Sequence, residues 1–86
     1  MVVKMLLPTK YGEEYAEVIN KNQFVEPNYK VNGIRIAKTI YSISFIINGK
    51  KKTFYCNDGF YNYVEVGDKV RIIHNRGRII DLDHVS

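Results

Sequence analysis

The sequence predicts an all-β domain, and three observations carry the prediction. Two Asn-Gly pairs, Asn32-Gly33 and Asn48-Gly49, sit between runs rich in Ile, Val, Phe, Tyr and Thr. No segment sustains a 3.6-residue apolar period long enough for a substantial helix. Five or six short strand-like runs are spaced by Gly, Pro, Asn and Asp turns, as in small barrels and sandwiches. A five- to six-stranded antiparallel, partly open barrel of SH3-like or OB-like type leaves the least strand edge uncovered at this size. A small β-sandwich or a curved open sheet is the alternative.

At 86 residues the chain is expected to form a single β domain. Core strands are placed at about 14–82, with residues 1–13 as an N-terminal arm or strand and 83–86 as a frayed tail. A chain of this size buries roughly 60–65% of its unfolded surface, enough for one modest core. Seven Tyr and four Phe, against two Pro and six Gly, oppose disorder. The single cysteine, Cys56, excludes an intramolecular disulfide and fits a reducing, cytoplasmic compartment. Met1–Leu7 is apolar apart from Lys4. It is too short for a membrane span and lacks signal-peptide form; a first strand or ordered arm is expected. Abundant Ile, Lys, Asn and Tyr point to an AT-rich coding genome, as in low-GC bacteria or their phages.

Taken in order, Thr9–Gly12 is a short loop after Pro8. Glu14–Asn20 alternates as a strand, with Ala16 and Val18 on one face and Tyr15, Glu17 and Ile19 on the other. Either face suits the inside. Lys21–Asn32 is assigned to a polar loop, because Glu26-Pro27-Asn28 is turn chemistry. Asn32-Gly33 is then a hairpin tip between Val31 and Ile34. Ile34–Ile47 is long for one strand and is expected to bend or bulge around Ala37–Thr39.

The central hairpin is Ile40–Cys56. A two-residue type I′ turn at Asn48-Gly49 needs positive φ at both positions, which Asn and Gly tolerate best. Ile47 then faces Lys50, Phe45 faces Lys52, Ile43 faces Phe54 and Tyr41 faces Cys56. Tyr41, Ile43, Phe45, Ile47, Phe54 and Cys56 share the predicted core face. Ser42, Ser44, Ile46, Lys51, Thr53 and Tyr55 share the outer one. A four-residue loop, Asn48–Lys51, would leave these faces unchanged, whereas a one-residue slip would bury the serines.

Asn57-Asp58-Gly59 ends this hairpin, and Phe60–Val64 reads as a short helical turn or irregular loop. Glu65-Val66-Gly67-Asp68 is a turn into a strand at Lys69–His74. Asn75-Arg76-Gly77 is predicted to be a three-residue hairpin loop with Gly77 left-handed. That register sets Ile72 against Ile80, Val70 against Leu82 and Arg71 against Asp81. An even loop would set Val70 against Asp81.

The order Tyr15–Ile19 strand, polar loop, Tyr41–Phe45 strand, Asn48-Gly49, strand ending in Phe54, Val66-Gly67-Asp68-Lys69-Val70 and a last hairpin resembles small uncharacterised bacterial β-barrel domains. Their layout is strand–DG–strand–helical turn–GD–strand, and some are membrane-anchored. The resemblance covers roughly Tyr15–Leu82. It implies the barrel fold and no assigned activity. The long 21–33 loop departs from the compact form of that layout.

No phosphate loop, HExxH, CxxC or nucleophile elbow is present, so no enzymatic activity and no cofactor are expected. Cys56 on the inner face is an ordinary small hydrophobe rather than a nucleophile paired with His74 or His84. Asp81, Asp83 and His84 superficially suggest a metal site, but no further ligands stand near them and none is predicted.

The net charge of +4 allows an anionic partner without requiring one. Lys50, Lys51 and Lys52 form a basic tip, read first as a solvated edge protector. Arg71, Arg76 and Arg78 form a second basic group, with Arg35 and Lys38 on the long strand. Tyr55, Phe60, Tyr61 and Tyr63 form an aromatic segment with three competing roles: plugging a barrel end, contacting a protein or stacking on bases. The favoured function is a non-enzymatic binding or regulatory module contacting a protein through Tyr55, Phe60, Tyr61 and Tyr63. An open edge near 34–40 offers strand pairing with a partner or a second copy. The alternative is nucleic-acid binding, with Lys50, Lys51, Lys52, Arg71, Arg76 and Arg78 on phosphates and Tyr61 or Tyr63 stacking.

Overall fold

The computed structural model describes residues 11–85; the predicted arm Met1–Leu7 lies outside them. Among the described residues are five strands and one short helix: β1 (Gly12–Val31), β2 (Ile34–Ile47), β3 (Lys50–Cys56), α1 (Asp58–Tyr63), β4 (Lys69–Asn75) and β5 (Arg78–His84). A ring of hydrogen bonds runs β1-β2-β3-β5-β4 and back to β1. Its narrowest seam is β3 to β5, a parallel contact with one register pair, Tyr55 and Arg78. There the Tyr55 amide donates to the Gly77 carbonyl at 2.9 Å. The all-β, partly open barrel read from the sequence is therefore the fold.

The three hairpin turns share one geometry. Asn32 and Gly33, Asn48 and Gly49, and Arg76 and Gly77 all have φ between 52° and 80°. Positive φ at both central residues is the type I′ pattern, whose twist suits antiparallel strands. The central hairpin takes the expected two-residue register, from Ile47 opposite Lys50 to Tyr41 opposite Cys56. Its inner face supplies Ile43, Phe45, Ile47, Phe54 and Cys56 to the core, with Ala16, Val18, Val64, Val70, Ile72, Ile79 and Leu82 completing it. Ala16 and Val18 thus settle which side of β1 points inward.

Bulges produce the departures from the expected registers. The last hairpin has a two-residue loop, with Asn75 opposite Arg78, not the three-residue loop predicted. Ile80 is then an extra residue between the pairs His74–Ile79 and Ile73–Asp81. This bulge returns Leu82 to the core opposite Ile72 and sets Arg71 against Asp83 rather than Asp81. An even loop without a bulge sets Val70 against Asp81; the bulge removes that conflict. β5 also continues to His84, into the expected tail, and the Val85 amide bonds the Lys69 carbonyl at 2.9 Å.

The largest departure is at residues 21–31, which are strand and not loop. Pro27 and Asn28 form a bulge, standing between Glu26 (opposite Lys38) and Tyr29 (opposite Ile36). The expected irregularity near Ala37 is real but lies on the partner strand. Pro is tolerated in strands at bulges and free edges, where no ladder donor is needed. A further bulge at Ile19 separates the pairs Val18–Phe45 and Asn20–Ser44. It shifts the parity of β1, so Lys21, opposite Ile43, follows the core face.

Beyond Gln23 and Tyr41 the two strands leave the barrel as a two-stranded ribbon. β4 accompanies β1 only to Glu17. Val18 is then held by Asp68 O and Gly67 N at 2.9 and 2.8 Å. β3 accompanies β2 only to Tyr41. The radius of gyration is accordingly 15.7 Å, against about 12 Å for a compact domain of this length.

Candidate functional site

Two surfaces stand out, and both follow from the parity of the strands. The first is the ribbon. Opposed residues in an antiparallel pair point to the same side. Ser42 with Asn22, Ile40 with Phe24, Lys38 with Glu26 and Ile34 with Val31 therefore share the outer face. Phe24, Val31, Ile36 and Ile34 are exposed there, Ile34 at 65%. Val25, on the other side, is also exposed. Among the described residues no strand pairs with the outer edge of residues 20–31 or of residues 34–40. Such edges present unpaired backbone donors and acceptors. Two clefts on the barrel, one beside Ala16, Ile46 and Val70 and one beside Asn57, Phe60 and Leu82, bring no comparable set of groups together.

The second surface is the outer face of β2 and β3. Tyr55, 53% exposed, lies beside Arg78 across the barrel seam, with Arg76 in the adjoining turn and Lys51 further along the same face. Ser42 and Ser44, expected outside, are on this face but buried at 7% each. They are short side chains flanked by longer neighbours, and Ser44 Oγ bonds Thr53 Oγ1 at 2.8 Å.

The remaining predicted site residues disperse. Lys50 and Lys52 stand opposite core residues Ile47 and Phe45, so the three lysines divide between both faces of the tip. Arg71 donates to Glu13 at 3.0 Å and to Asp83 at 3.2 Å. Those two partners compensate its charge, and it lies apart from Arg76 and Arg78.

The aromatic segment divides as well. Asn57 caps α1 by accepting from the Phe60 amide at 2.8 Å. The helix turns Phe60 and Tyr61 onto the core, half-buried. Tyr61 packs on Tyr41 at 4.9 Å between ring centroids. Tyr63 stays half exposed, against the His84 ring at 4.4 Å. Two of the four aromatics therefore pack against the core, and Tyr55 and Tyr63 reach solvent.

Lys21 gives no signal in the sequence, where its stretch reads as a polar loop. Its ammonium donates to the Val64 carbonyl at 2.8 Å and lies 4.5 Å from the Tyr61 ring centroid. It joins the base of the ribbon to the end of α1. Only the bulge at Ile19 gives it that direction, and no local sequence signal marks a bulge there.

The reactive groups are engaged elsewhere. Burial pushes the Cys56 thiol up to about 11, with Arg78 and Lys21 pulling only partly the other way. The thiol is thus protonated near neutral pH. The His74 ring stacks on Phe54 at 4.5 Å. Its Nε2 is buried without a hydrogen-bond partner, 3.5 Å from the Glu14 carboxylate. His84 Nε2 lies 3.0 Å from Asp68 Oδ2, and Asp83 is held by Arg71. The Asp68 carboxyl is held below its ordinary value by the Glu65 amide first and His84 second. No group of three or more His, Cys, Asp and Glu side chains suited to a metal occurs among the described residues. Nor is any helix among them long and apolar enough to cross a membrane.

No family model matches the chain, and no curated protein matches it in sequence. Its fold is similar to that of a structural-genomics crystal structure from Proteus penneri, with a TM-score of 0.74 over 90% of this chain and 100% of that one. The two are 15% identical, so the likeness shows the fold alone.

Proposed function

We propose that the chain is a small, non-catalytic protein-binding module of the cytoplasm that engages its partner along the β1–β2 ribbon. One observation carries this reading: a ribbon whose two edges are uncovered among the described residues displays Phe24, Val31, Ile34 and Ile36 on one face. An isolated two-stranded ribbon is marginal in water, and exposed apolar patches of this kind mark interaction sites. The buried, protonated thiol of Cys56 and the scattered histidines support a binding role over catalysis. The strand order, the parallel β3–β5 seam and a helix between β3 and β4 support an OB-type barrel rather than an SH3-like one.

The test is a capture experiment with three baits: wild type, the double variant Ile34→Lys/Ile36→Lys, and the double variant Lys51→Glu/Arg78→Glu. Proteins lost with the first variant and kept with the second are expected. The reverse pattern would defeat the ribbon reading.

A second reading, nucleic-acid binding, is favoured by Tyr55, Arg78 and Lys51 lying on one face, with Arg76 in the adjoining turn, where aromatic stacking and phosphate contact would combine. Fluorescence anisotropy with single-stranded oligonucleotides at two salt concentrations checks it. Binding that weakens steeply with salt and fails in Arg78→Glu would support it; no binding at low salt would remove it.

A further inference from the structure

The two edges of the ribbon are not equivalent. The edge on β1 carries Pro27, which has no N–H, and the bulge at Pro27–Asn28; both devices discourage strand addition. The β2 edge from Ile34 to Ile40, Ile-Arg-Ile-Ala-Lys-Thr-Ile, contains neither Pro nor Gly and holds three Ile and one Thr. Unpaired on its outer edge among the described residues, the run is bounded on one side by the turn at Asn32-Gly33 and on the other by the first pair of β3, Tyr41–Cys56. It is seven residues long and centred on Ala37.

We infer that this edge is a homodimer contact, in which residues 34–40 pair antiparallel with residues 40–34 of a second copy about a two-fold axis at Ala37. This deepens the protein-binding reading and rests on it, since it names the partner of the ribbon.

Self-complementarity selects the second copy. A two-fold axis normal to the sheet keeps each side chain on its own face, so only registers centred on a residue are allowed. Centring on Arg35 or Lys38 opposes like charges, which is unfavourable in cross-strand pairs. Centring on Ile36 leaves part of the run unpaired and sets Ile34 against Lys38.

Centring on Ala37 uses the whole run. Ile34 meets Ile40, Ile36 meets Lys38, Arg35 meets Thr39, and the smallest side chain lies on the axis. With the registers already present in each ribbon, Phe24, Ile40, Ile34 and Val31 then form one apolar row across the two copies. Two-fold symmetry generates the row twice. Each Lys38 keeps Glu26 opposite it in its own ribbon. Two marginal ribbons become a four-stranded sheet, and an isologous contact of this kind closes on itself.

The experiment uses the full chain and two variants. Light scattering after size exclusion is expected to give twice the chain mass for wild type. Ala37→Asp, which places two carboxylates at the axis on an exposed position, is expected to give the single-chain mass with unchanged far-UV circular dichroism. Ala37→Cys is expected to form a covalent dimer on mild oxidation, while Asn48→Cys at the far hairpin tip does not. A wild-type monomer at the highest soluble concentration would overturn the dimer, as would a dimer indifferent to Ala37→Asp with no Ala37→Cys cross-link. A monomer whose captured proteins still depend on Ile34 and Ile36 would overturn self-pairing and leave the ribbon as the docking site of another protein.

Discussion

β1 and β2 each run through two environments. In the barrel, β1 has β2 on one side and β4 on the other, and β2 has β1 and β3. Ala16, Val18, Ile43, Phe45 and Ile47 are sealed inside. In the ribbon the same strands stay paired, across the bulge at Pro27–Asn28, to Val31–Ile34 with nothing beside them among the described residues, and their apolar side chains remain in water. Burial fixes register in the first region, because a slip would move the core face outward. Turn chemistry at Asn32-Gly33 fixes it in the second. β-branched and aromatic residues that stay exposed among the described residues are the ones the proposed contact would use.

The contrast is tested most severely at Phe45, whose side chain is fully buried. Phe45→Ala should cost about 3–5 kcal/mol by leaving a cavity, seen as a large drop in Tm; an unchanged Tm would mean the barrel does not hold the core. Gly12→Ala comes next. A Cβ there would stand 2.4 Å from the His74 ring, and overpacking of this kind costs about 1–3 kcal/mol. Combining it with His74→Ala should recover much of the loss, as chemical denaturation would reveal.

Lys21→Met tests the joint between the regions. A hydrogen bond from a charged donor contributes about 1.5–3 kcal/mol, reduced here by partial exposure, so a loss of about 1 kcal/mol is expected. Faster amide exchange should be confined to α1 and the base of the ribbon.

A gentler effect is expected in acid. Asp68 titrates below its ordinary value of 3.8, so its contribution is present above that pH and is lost as pH falls below it through the folded value. Asp68→Asn should lack that contribution at neutral pH and show a flatter acid limb in a Tm-against-pH series. Smallest of all is Ile34→Ser, in the ribbon. Its effect on the stability of the monomer should stay within about 0.5 kcal/mol, measured at a concentration low enough to exclude self-association.

The sequence makes the barrel legible where local chemistry and burial agree. Asn48-Gly49 demands one turn, and the alternation of Ile43, Phe45, Phe54 and Cys56 admits one face. It misleads where a bulge intervenes. Ile79-Ile80 offers an apolar residue at either parity, so the three-residue loop looks superior until the extra residue is placed in β5. Lys21-Asn22-Gln23 has no apolar alternation, and Pro27 reads as a break, so a strand stabilised by its partner passes for a loop. The aromatic segment is legible as a group but not as a division. The Asn57 cap sends Phe60 and Tyr61 inward, and only the helix geometry separates them from Tyr63.

Ile80 has one more implication, for changes in chain length. A strand with one surplus residue has slack that its neighbours lack. Removing Ile80 would leave Ile79 opposite His74, Asp81 opposite Ile73 and Leu82 opposite Ile72, an unbroken ladder with every inward residue kept. Removing Asp81 instead would let Ile80 take the place opposite Ile73 and would also keep every inward residue, whereas removing Leu82 would take one from the core. Length variation in this hairpin is therefore confined to the bulge, and relatives one residue shorter there would keep the same barrel.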